Sequence, residues 1–150
     1  MGVIFDSRIW VGIAAGHVDR RAVIEAVGEE PAFTSAIALG ELRFGVEACV
    51  DPAVRAQRAA YLRHVESWPT LDVTAQTAAA FGVLAATVKL SGRSPRACYN
   101  DLWIAAQAIE HGYALLTLNP RDFAGLPGVR ILTSDPRGTE PRRPKKVKHE

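Results

Sequence analysis

Residues 3–6 of this chain read VIFD, a short apolar run that ends at an acidic side chain. A run of this length and composition is typical of a buried β-strand. Similar short runs predict four more strands, over residues 32–35, 71–73, 114–118 and 129–132. The chain therefore begins with a strand that is buried in a sheet and is followed directly by a carboxylate.

Segments with helical periodicity or helix-start signals lie between these strands. Asp51-Pro52 is an N-cap followed by proline at the first helical position, and Thr74 is placed to cap a long alanine-rich helix. The predicted helices cover residues 9–15, 18–27, 36–48, 52–68, 75–91 and 102–110. Strands that alternate with helices predict an α/β layered fold with a parallel sheet.

The length and composition fit one ordinary globular domain. The chain has 150 residues, of which 48% are hydrophobic and 23% are charged. No apolar run approaches the roughly 18 residues that span a bilayer, so we expect no membrane association. Cys49 and Cys98 match no zinc or CxxC spacing, and we interpret them as reduced core residues of a cytoplasmic protein.

The net charge of +2 is unevenly distributed. Residues 137–150 contain six Lys or Arg and two Glu and carry +4, which leaves −2 on residues 1–136. Together with three prolines and almost no apolar residues, this predicts a domain over 1–135 and a disordered basic tail over 136–150. The tail has a second interpretation, an electrostatic arm that holds RNA.

Two acidic residues occupy positions that suit a catalytic or metal-binding role. Asp6 directly follows the first strand, and ligands of open parallel sheets bind beyond the carboxyl ends of the strands. Asp101 lies in the first turn of a helix that is apolar nearly all round, so that its start should lie inside the fold. Helix capping explains either residue without any function.

Two further acidic residues are more ambiguous. Glu41 lies on a helix near Ile37 and Phe44, so it either packs its stem at the edge of an apolar stripe or enters a polar cavity. Asp122 follows a strand in a segment where turn chemistry alone explains an aspartate.

Mg²⁺ prefers hard oxygen ligands, and a convergent set of carboxylates would repel one another without a cation. The four residues together therefore suggest a magnesium site that hydrolyses a phosphodiester.

Four segments in order resemble the motifs of PIN-domain nucleases, and most closely the VapC toxins of toxin–antitoxin pairs. They run from the start of the chain to about residue 132, and the residues concerned are VIFDS at 3–7, ALGELRFGV at 38–46, SGR at 91–93 with NDLWIAA at 100–106, and LTLNPRDF at 116–123. The resemblance implies a three-layer PIN-like fold, with a short, mainly parallel sheet flanked by helices.

The resemblance also implies a metal-dependent endoribonuclease acting on a structured RNA such as tRNA or rRNA, with Mg²⁺ or Mn²⁺. By motif match, Asp6 and Asp101 would be the metal ligands, Glu41 a ligand or water-positioning group, and Asp122 the residue that completes the catalytic set. The group tends to form homodimers and to be silenced by an antitoxin whose C-terminal segment enters the acidic groove.

Two positions depart from the family pattern. Arg8 stands where a small polar residue is usual, and it either contacts phosphate or pairs with an acid. Many members place the fourth site residue 18 positions after the third, which here is Asn119, so Asn119 competes with Asp122 for that role.

Two other classes of function fit less well. A catalytically inactive PIN-fold module that binds RNA or protein is the first alternative, with Arg8 as its supporting feature. A nucleotide-binding or signalling domain is the second, although the chain lacks a glycine-rich phosphate loop.

Overall fold

The computed structural model describes residues 1–134, in which five strands and six α-helices alternate. The strands are β1 Val3–Phe5, β2 Ala32–Ser35, β3 Thr70–Leu71, β4 Ala114–Leu116 and β5 Arg130–Leu132. The helices are α1 Ser7–Ala14, α2 Arg20–Val27, α3 Ala36–Glu47, α4 Pro52–Glu66, α5 Ala75–Leu90 and α6 Tyr99–His111. Two short 3₁₀ helices, Pro95–Cys98 and Pro120–Phe123, precede α6 and follow β4. The predicted basic tail over 136–150 lies outside the described residues.

The five strands form one parallel sheet in the order β3-β2-β1-β4-β5. Strand β1 is central, because Val3 pairs with Ala32 on one side and with Ala114 on the other. Every residue of β1 and of β4 is buried, as strands covered by helices on both faces must be. The structure confirms the predicted α/β fold with a short parallel sheet flanked by helices.

The strand order reverses at β1, since β2 lies on one side of it and β4 on the other. Such a switch point leaves a crevice beyond the carboxyl ends of the strands, because the connections that leave two neighbouring strands run in opposite directions. The residues that follow β1 and β4 therefore lie at the place where this fold offers a binding site.

The predicted caps are confirmed. The Asp51 side chain accepts hydrogen bonds from the backbone N–H groups of Ala53 and Val54, and Thr74 accepts one from Thr77. Gly112 ends α6 in the left-handed conformation with φ of 67°, which glycine adopts without steric cost. These signals were readable because capping involves neighbours in sequence.

Several local predictions were wrong, among them the end of β4, which lies at Leu116 rather than at residue 118. Strand β3 is only Thr70–Leu71, so residues 72 and 73 are not part of it. Helix α6 begins at Tyr99, because the 3₁₀ helix before it leads directly into the helical turn. Cys49 and Cys98 are free thiols, as expected, but both are half-buried rather than in the core.

None of the helices within residues 1–134 is long and apolar enough to cross a bilayer.

A glycine in α1 allows the segment that follows the helix to pack closely against it. A Cβ added at Gly12 would lie 2.3 Å from Cγ2 of Val18. We expect Gly12→Ala to lower the free energy of unfolding by about 1–3 kcal/mol, because overpacking outweighs the better helix propensity of alanine. Urea denaturation measures this change.

The matched control is Gly82→Ala in α5, where an added Cβ meets nothing within 4 Å. It should raise the free energy of unfolding by roughly 0.5–1 kcal/mol, since only the propensity changes. Equal effects of the two substitutions would contradict the close packing at Gly12.

Candidate active site

Asp6 follows β1 and is buried, with only 1% of its surface exposed. Its backbone N–H donates to the carbonyl oxygen of Leu116 in β4 over 3.0 Å, which ties it to the adjacent strand. Although Asp6 occupies the N-cap position of α1, its side chain makes no capping hydrogen bond. Capping therefore does not explain this buried carboxylate.

Two hydroxyl groups hold the Asp6 carboxylate. Thr117 Oγ1 donates to Oδ2 over 3.0 Å, and Ser7 Oγ lies 3.3 Å from Oδ1. The backbone N–H of Asn119 donates in turn to Thr117 Oγ1 over 3.1 Å. This chain fixes the orientation of Asp6 and leaves lone pairs on both of its oxygens for a further partner.

Glu41 enters the cavity side of α3 rather than the edge of its apolar stripe. Its Oε1 is buried without a hydrogen-bond partner among the described residues. The pKa of Glu41 is raised, mainly by burial and also by the negative charges of Asp6 and Asp101. The Ser7 hydroxyl and Arg8 oppose this shift without cancelling it. A buried unpaired oxygen is costly unless another group satisfies it, so this atom is poised for a ligand.

Asp101 lies in the first turn of α6, a helix whose middle is almost entirely buried. Burial raises the pKa of Asp101, Asp6 and Asp122 raise it further, and Arg8 opposes them. The electrostatic influence of Asp6 on both Glu41 and Asp101 shows that the three carboxylates share one region. The structure therefore brings these three residues close together, and their role as one metal site stays a prediction.

Asp122 is held at the rim of this region by Arg8. Nη1 of Arg8 lies 3.2 Å from Oδ2 of Asp122, and each side chain is about half exposed. Of the two interpretations of Arg8, pairing with an acid is the one observed. Asn119 donates its backbone N–H, not its side chain, to the Thr117 hydroxyl.

A cavity of about 250 Å³ connects the carboxylates with basic side chains. Glu41 and Asp101 line it together with Ser7, and Arg8 and Arg96 provide positive charge in its wall. Carboxylates suit a divalent cation, while guanidinium groups suit phosphate oxygens. The cavity therefore carries both kinds of group that binding of a phosphodiester beside a metal ion requires.

The residues fit a divalent ion of the kind that the family uses. Among residues 1–134, no three Asp, Glu, His or Cys side chains lie close enough together to surround an ion by themselves. Mg²⁺ does not need such a cage, because it is commonly held by one or two carboxylates with water and phosphate oxygens. Asp6 and Asp101 stay the predicted ligands, and the unpaired buried oxygen of Glu41 is a further hard donor.

Sequence reasoning missed Thr117. It directly follows β4, as Asp6 directly follows β1, and β1 and β4 are neighbours in the sheet. The strand-end rule that selected Asp6 would have selected Thr117 if two facts had been known: that β4 ends at Leu116 rather than at the predicted residue 118, and that β4 pairs with β1.

The chain is similar in sequence to known proteins. The sequence profile of the PIN domain matches residues 3–128. Ribonuclease VapC4 of Mycobacterium tuberculosis is 32% identical over 85% of this chain and 93% of its own length. Ribonuclease VapC5 of the same organism is 34% identical over 84% of this chain and 88% of its own.

Solved structures show the same architecture. The VapBC-5 toxin–antitoxin complex of Mycobacterium tuberculosis has a chain that superposes with a TM-score of 0.73 at 28% identity, covering 89% of this chain and 99% of that one. A chain of Rickettsia felis VapBC2, bound to a promoter DNA fragment, superposes with a TM-score of 0.76 at 24% identity and covers 89% and 98%. The second match supports the fold alone.

The fold and site define a class: a parallel α/β domain whose carboxylates gather where the strand order reverses. Its sequence profile and relatives place the chain more narrowly. The chain belongs to the PIN-domain family, and within it to the VapC group.

Burial of Glu41, together with repulsion from Asp6 and Asp101, should make stability depend on pH. A folded-state pKa of Glu41 raised above 4.5 means that the folded protein binds this proton more tightly than the unfolded chain. The charged form of Glu41 therefore lowers the free energy of unfolding at pH values above the folded-state pKa. This loss of stability disappears as the pH falls towards 4.5. Without divalent ions, Glu41→Gln should therefore melt at a higher temperature than wild type at pH 7, and this difference should shrink on acidification.

The measurement is thermal unfolding of both proteins between pH 7 and pH 4.5 in EDTA. Glu29→Gln, at an exposed position after α2, is the control for the loss of one negative charge. A difference between wild type and Glu41→Gln that stays constant over this range would contradict the raised pKa.

Proposed function

We propose that the protein is a Mg²⁺-dependent endoribonuclease, the toxin of a toxin–antitoxin pair, which hydrolyses phosphodiester bonds in a structured RNA such as tRNA or rRNA. Mn²⁺ should substitute for Mg²⁺, and the site of action is the cytoplasm. The observation that carries the proposal is a cavity that Glu41 and Asp101 line together with Arg8 and Arg96. The buried Asp6 lies close enough to both carboxyl groups to raise the pKa of each.

Each side chain has a distinct part in this proposal. Asp6 and Asp101 hold the ion, which supplies charge neutralisation at the phosphate and an acidified water when bound. Glu41, with its raised pKa and unpaired oxygen, orients the attacking water and takes up its proton. Arg96, which lines the cavity, binds a phosphate oxygen of the RNA. Asp122, paired with Arg8 at the rim, completes the catalytic set.

The relatives support the reaction and the partner. VapC4 and VapC5 are named ribonucleases, and the solved neighbours are VapBC toxin–antitoxin complexes. We therefore propose that a cognate antitoxin binds this chain and that its C-terminal segment reaches the acidic groove. A homodimer remains a prediction, for which exposed Phe44 on α3 offers apolar surface.

The test is cleavage of end-labelled RNA by the purified chain with Mg²⁺, with Mn²⁺ and with excess EDTA. We expect defined fragments with either ion and none with EDTA. Inducible expression with mapping of new RNA 5′ ends, against an Asp6→Ala control, then identifies the substrate. Activity that persists in EDTA would rule out this mechanism.

One observation favours the alternative of an inactive binding module. The Arg8–Asp122 ion pair brings a fixed positive charge to the rim of the acidic site, where it opposes a metal ion. An inactive module should bind no stoichiometric Mn²⁺ at any accessible concentration, whereas the proposed enzyme should bind it with Asp6 and Asp101 intact.

Thr117 provides a test of how Asp6 is positioned. Thr117→Val removes the hydroxyl that donates to Oδ2 of Asp6 and leaves the Asn119 N–H without its acceptor. We expect Mn²⁺ affinity and cleavage rate to fall by about 10–100-fold, because groups that orient metal ligands have effects of this size.

Thr117→Ser is the control, since it keeps the hydroxyl and should keep most of the affinity. Calorimetric titration with Mn²⁺ measures both variants beside wild type. Equal affinities of Thr117→Val and wild type would mean that this hydrogen bond does not position Asp6.

A further inference from the structure

Arg8 brings a positive charge to the carboxylates of the site. It lines the cavity with Glu41 and Asp101, and its guanidinium forms an ion pair with Asp122 at 3.2 Å. Arg8 lies on the first turn of α1, whereas Asp122 lies 114 positions away in the 3₁₀ helix after β4. The pair therefore bridges the two chain segments that leave the central strands β1 and β4.

Structural support does not account for this ion pair. Both side chains are about half exposed, and an ion pair in such a position contributes little to folding because water screens it. The sheet already joins the two segments, since the Asp6 N–H donates to Leu116 in β4. The Arg8–Asp122 ion pair is therefore not needed to hold these two segments together.

The electrostatic effect of Arg8 resembles that of a bound cation. Its guanidinium lies in the wall of the cavity that Glu41 and Asp101 also line, so its positive charge stands among the carboxylates that would hold an ion. A divalent ion in the same region would also favour the charged carboxylates. Arg8 and the ion therefore stabilise the same charges and repel each other.

We propose that Arg8 is an internal cation that competes with the divalent ion for the carboxylates of this site, with Asp122 as its anchor. The inference rests on the proposed function, because it concerns the metal site of that enzyme. While the ion pair is closed, Asp122 is engaged by Arg8, and the ion must bind against a nearby positive charge. The ion pair thus sets a threshold of divalent ion below which the site stays unloaded.

The experiment measures Mn²⁺ affinity by calorimetry and by electron paramagnetic resonance, without RNA. We expect Arg8→Gln to bind Mn²⁺ about tenfold more tightly than wild type, the effect of removing one unit charge at close range. Arg8→Lys keeps the charge and should resemble wild type. Thermal unfolding of each variant confirms that it is folded.

Two controls separate the ion pair from general charge effects. Arg55→Gln breaks a similarly exposed ion pair, at 2.9 Å, between Arg55 on α4 and Glu47 on α3, and should leave Mn²⁺ affinity unchanged. In an Asp122→Asn background, Arg8→Gln should have a smaller effect than in wild type, because the anchor is already gone.

The outcomes distinguish this inference from the proposed function. Equal Mn²⁺ affinities of wild type and Arg8→Gln would overturn the competition and leave the metal-dependent nuclease standing. Absence of stoichiometric Mn²⁺ binding by both proteins would overturn the inference and the metal-dependent function together. Tighter binding by Arg55→Gln to the same extent would also overturn it, since the effect would then come from net charge alone.

Discussion

Asp101→Asn is expected to reduce RNA cleavage by at least about 100-fold, since the loss of a carboxylate that holds the ion removes several kcal/mol of transition-state stabilisation. The substitution preserves the size of the side chain and removes only its charge. In the same protein, the melting temperature without divalent ions should equal or exceed that of wild type. The reason is that burial, Asp6 and Asp122 all raise the pKa of Asp101, so its charged form costs stability at neutral pH.

The opposite changes in activity and stability exclude misfolding as the cause of inactivity. Cleavage of labelled RNA under single-turnover conditions measures the first, and thermal unfolding in EDTA measures the second. Glu29→Gln makes the same chemical change on an exposed segment after α2 and should alter neither. Cleavage by Asp101→Asn at the wild-type rate would remove Asp101 from the proposed metal site.

Gln107→Leu is expected to lower the free energy of unfolding by about 2–4 kcal/mol, the largest effect on stability that we predict. Gln107 is completely buried. Its Oε1 accepts a hydrogen bond from Ser35 Oγ at 2.5 Å, and its Nε2 donates to the carbonyl oxygens of Leu71 and Asp72 at 3.0 and 3.1 Å. Leucine has a similar volume but leaves all three partners without this bond.

The same substitution should also disturb the site. Ser35 caps α3, which carries Glu41, and Gln107 lies on α6, which carries Asp101. The Ser35–Gln107 hydrogen bond therefore fixes the two carboxylate-bearing helices relative to each other. Residual cleavage at a temperature where the variant is still folded should be lower than in wild type.

Urea denaturation measures the stability change. The slope of the free energy of unfolding against urea concentration should be the same in both proteins, as two-state unfolding requires. Gln57→Leu on the exposed face of α4 is the matched control and should change the free energy by less than about 0.5 kcal/mol. A Gln107→Leu variant as stable as wild type would show that water replaces the lost partners.

Much of the fold could be predicted because its signals are local. The apolar runs at β1 and β2 matched the observed strands, and the caps at Asp51 and Thr74 act on residues within one helical turn. The start of α6 was misplaced, since a 3₁₀ helix and an α-helix differ by hydrogen-bond register rather than by composition. The end of β3 was misplaced because its pairing with β2 decides its length.

The residues of the candidate site could also be selected from sequence, whereas their structural surroundings could not. The motifs selected Asp6, Glu41, Asp101 and Asp122, but each had a structural explanation when considered alone. Burial of Asp6 without a capping bond and the unpaired oxygen of Glu41 removed two of those explanations.

The sequence by itself determined the strand that ends at Asp6, the helix around Asp101 and the family, because these follow from short-range patterns. Only the tertiary structure decided that Thr117 holds Asp6 and that Arg8 pairs with Asp122. Both contacts join residues more than 100 positions apart, which meet only because β1 and β4 are neighbours in the sheet. Strand adjacency depends on how the helices cover the sheet as a whole, and no local stretch of sequence records it.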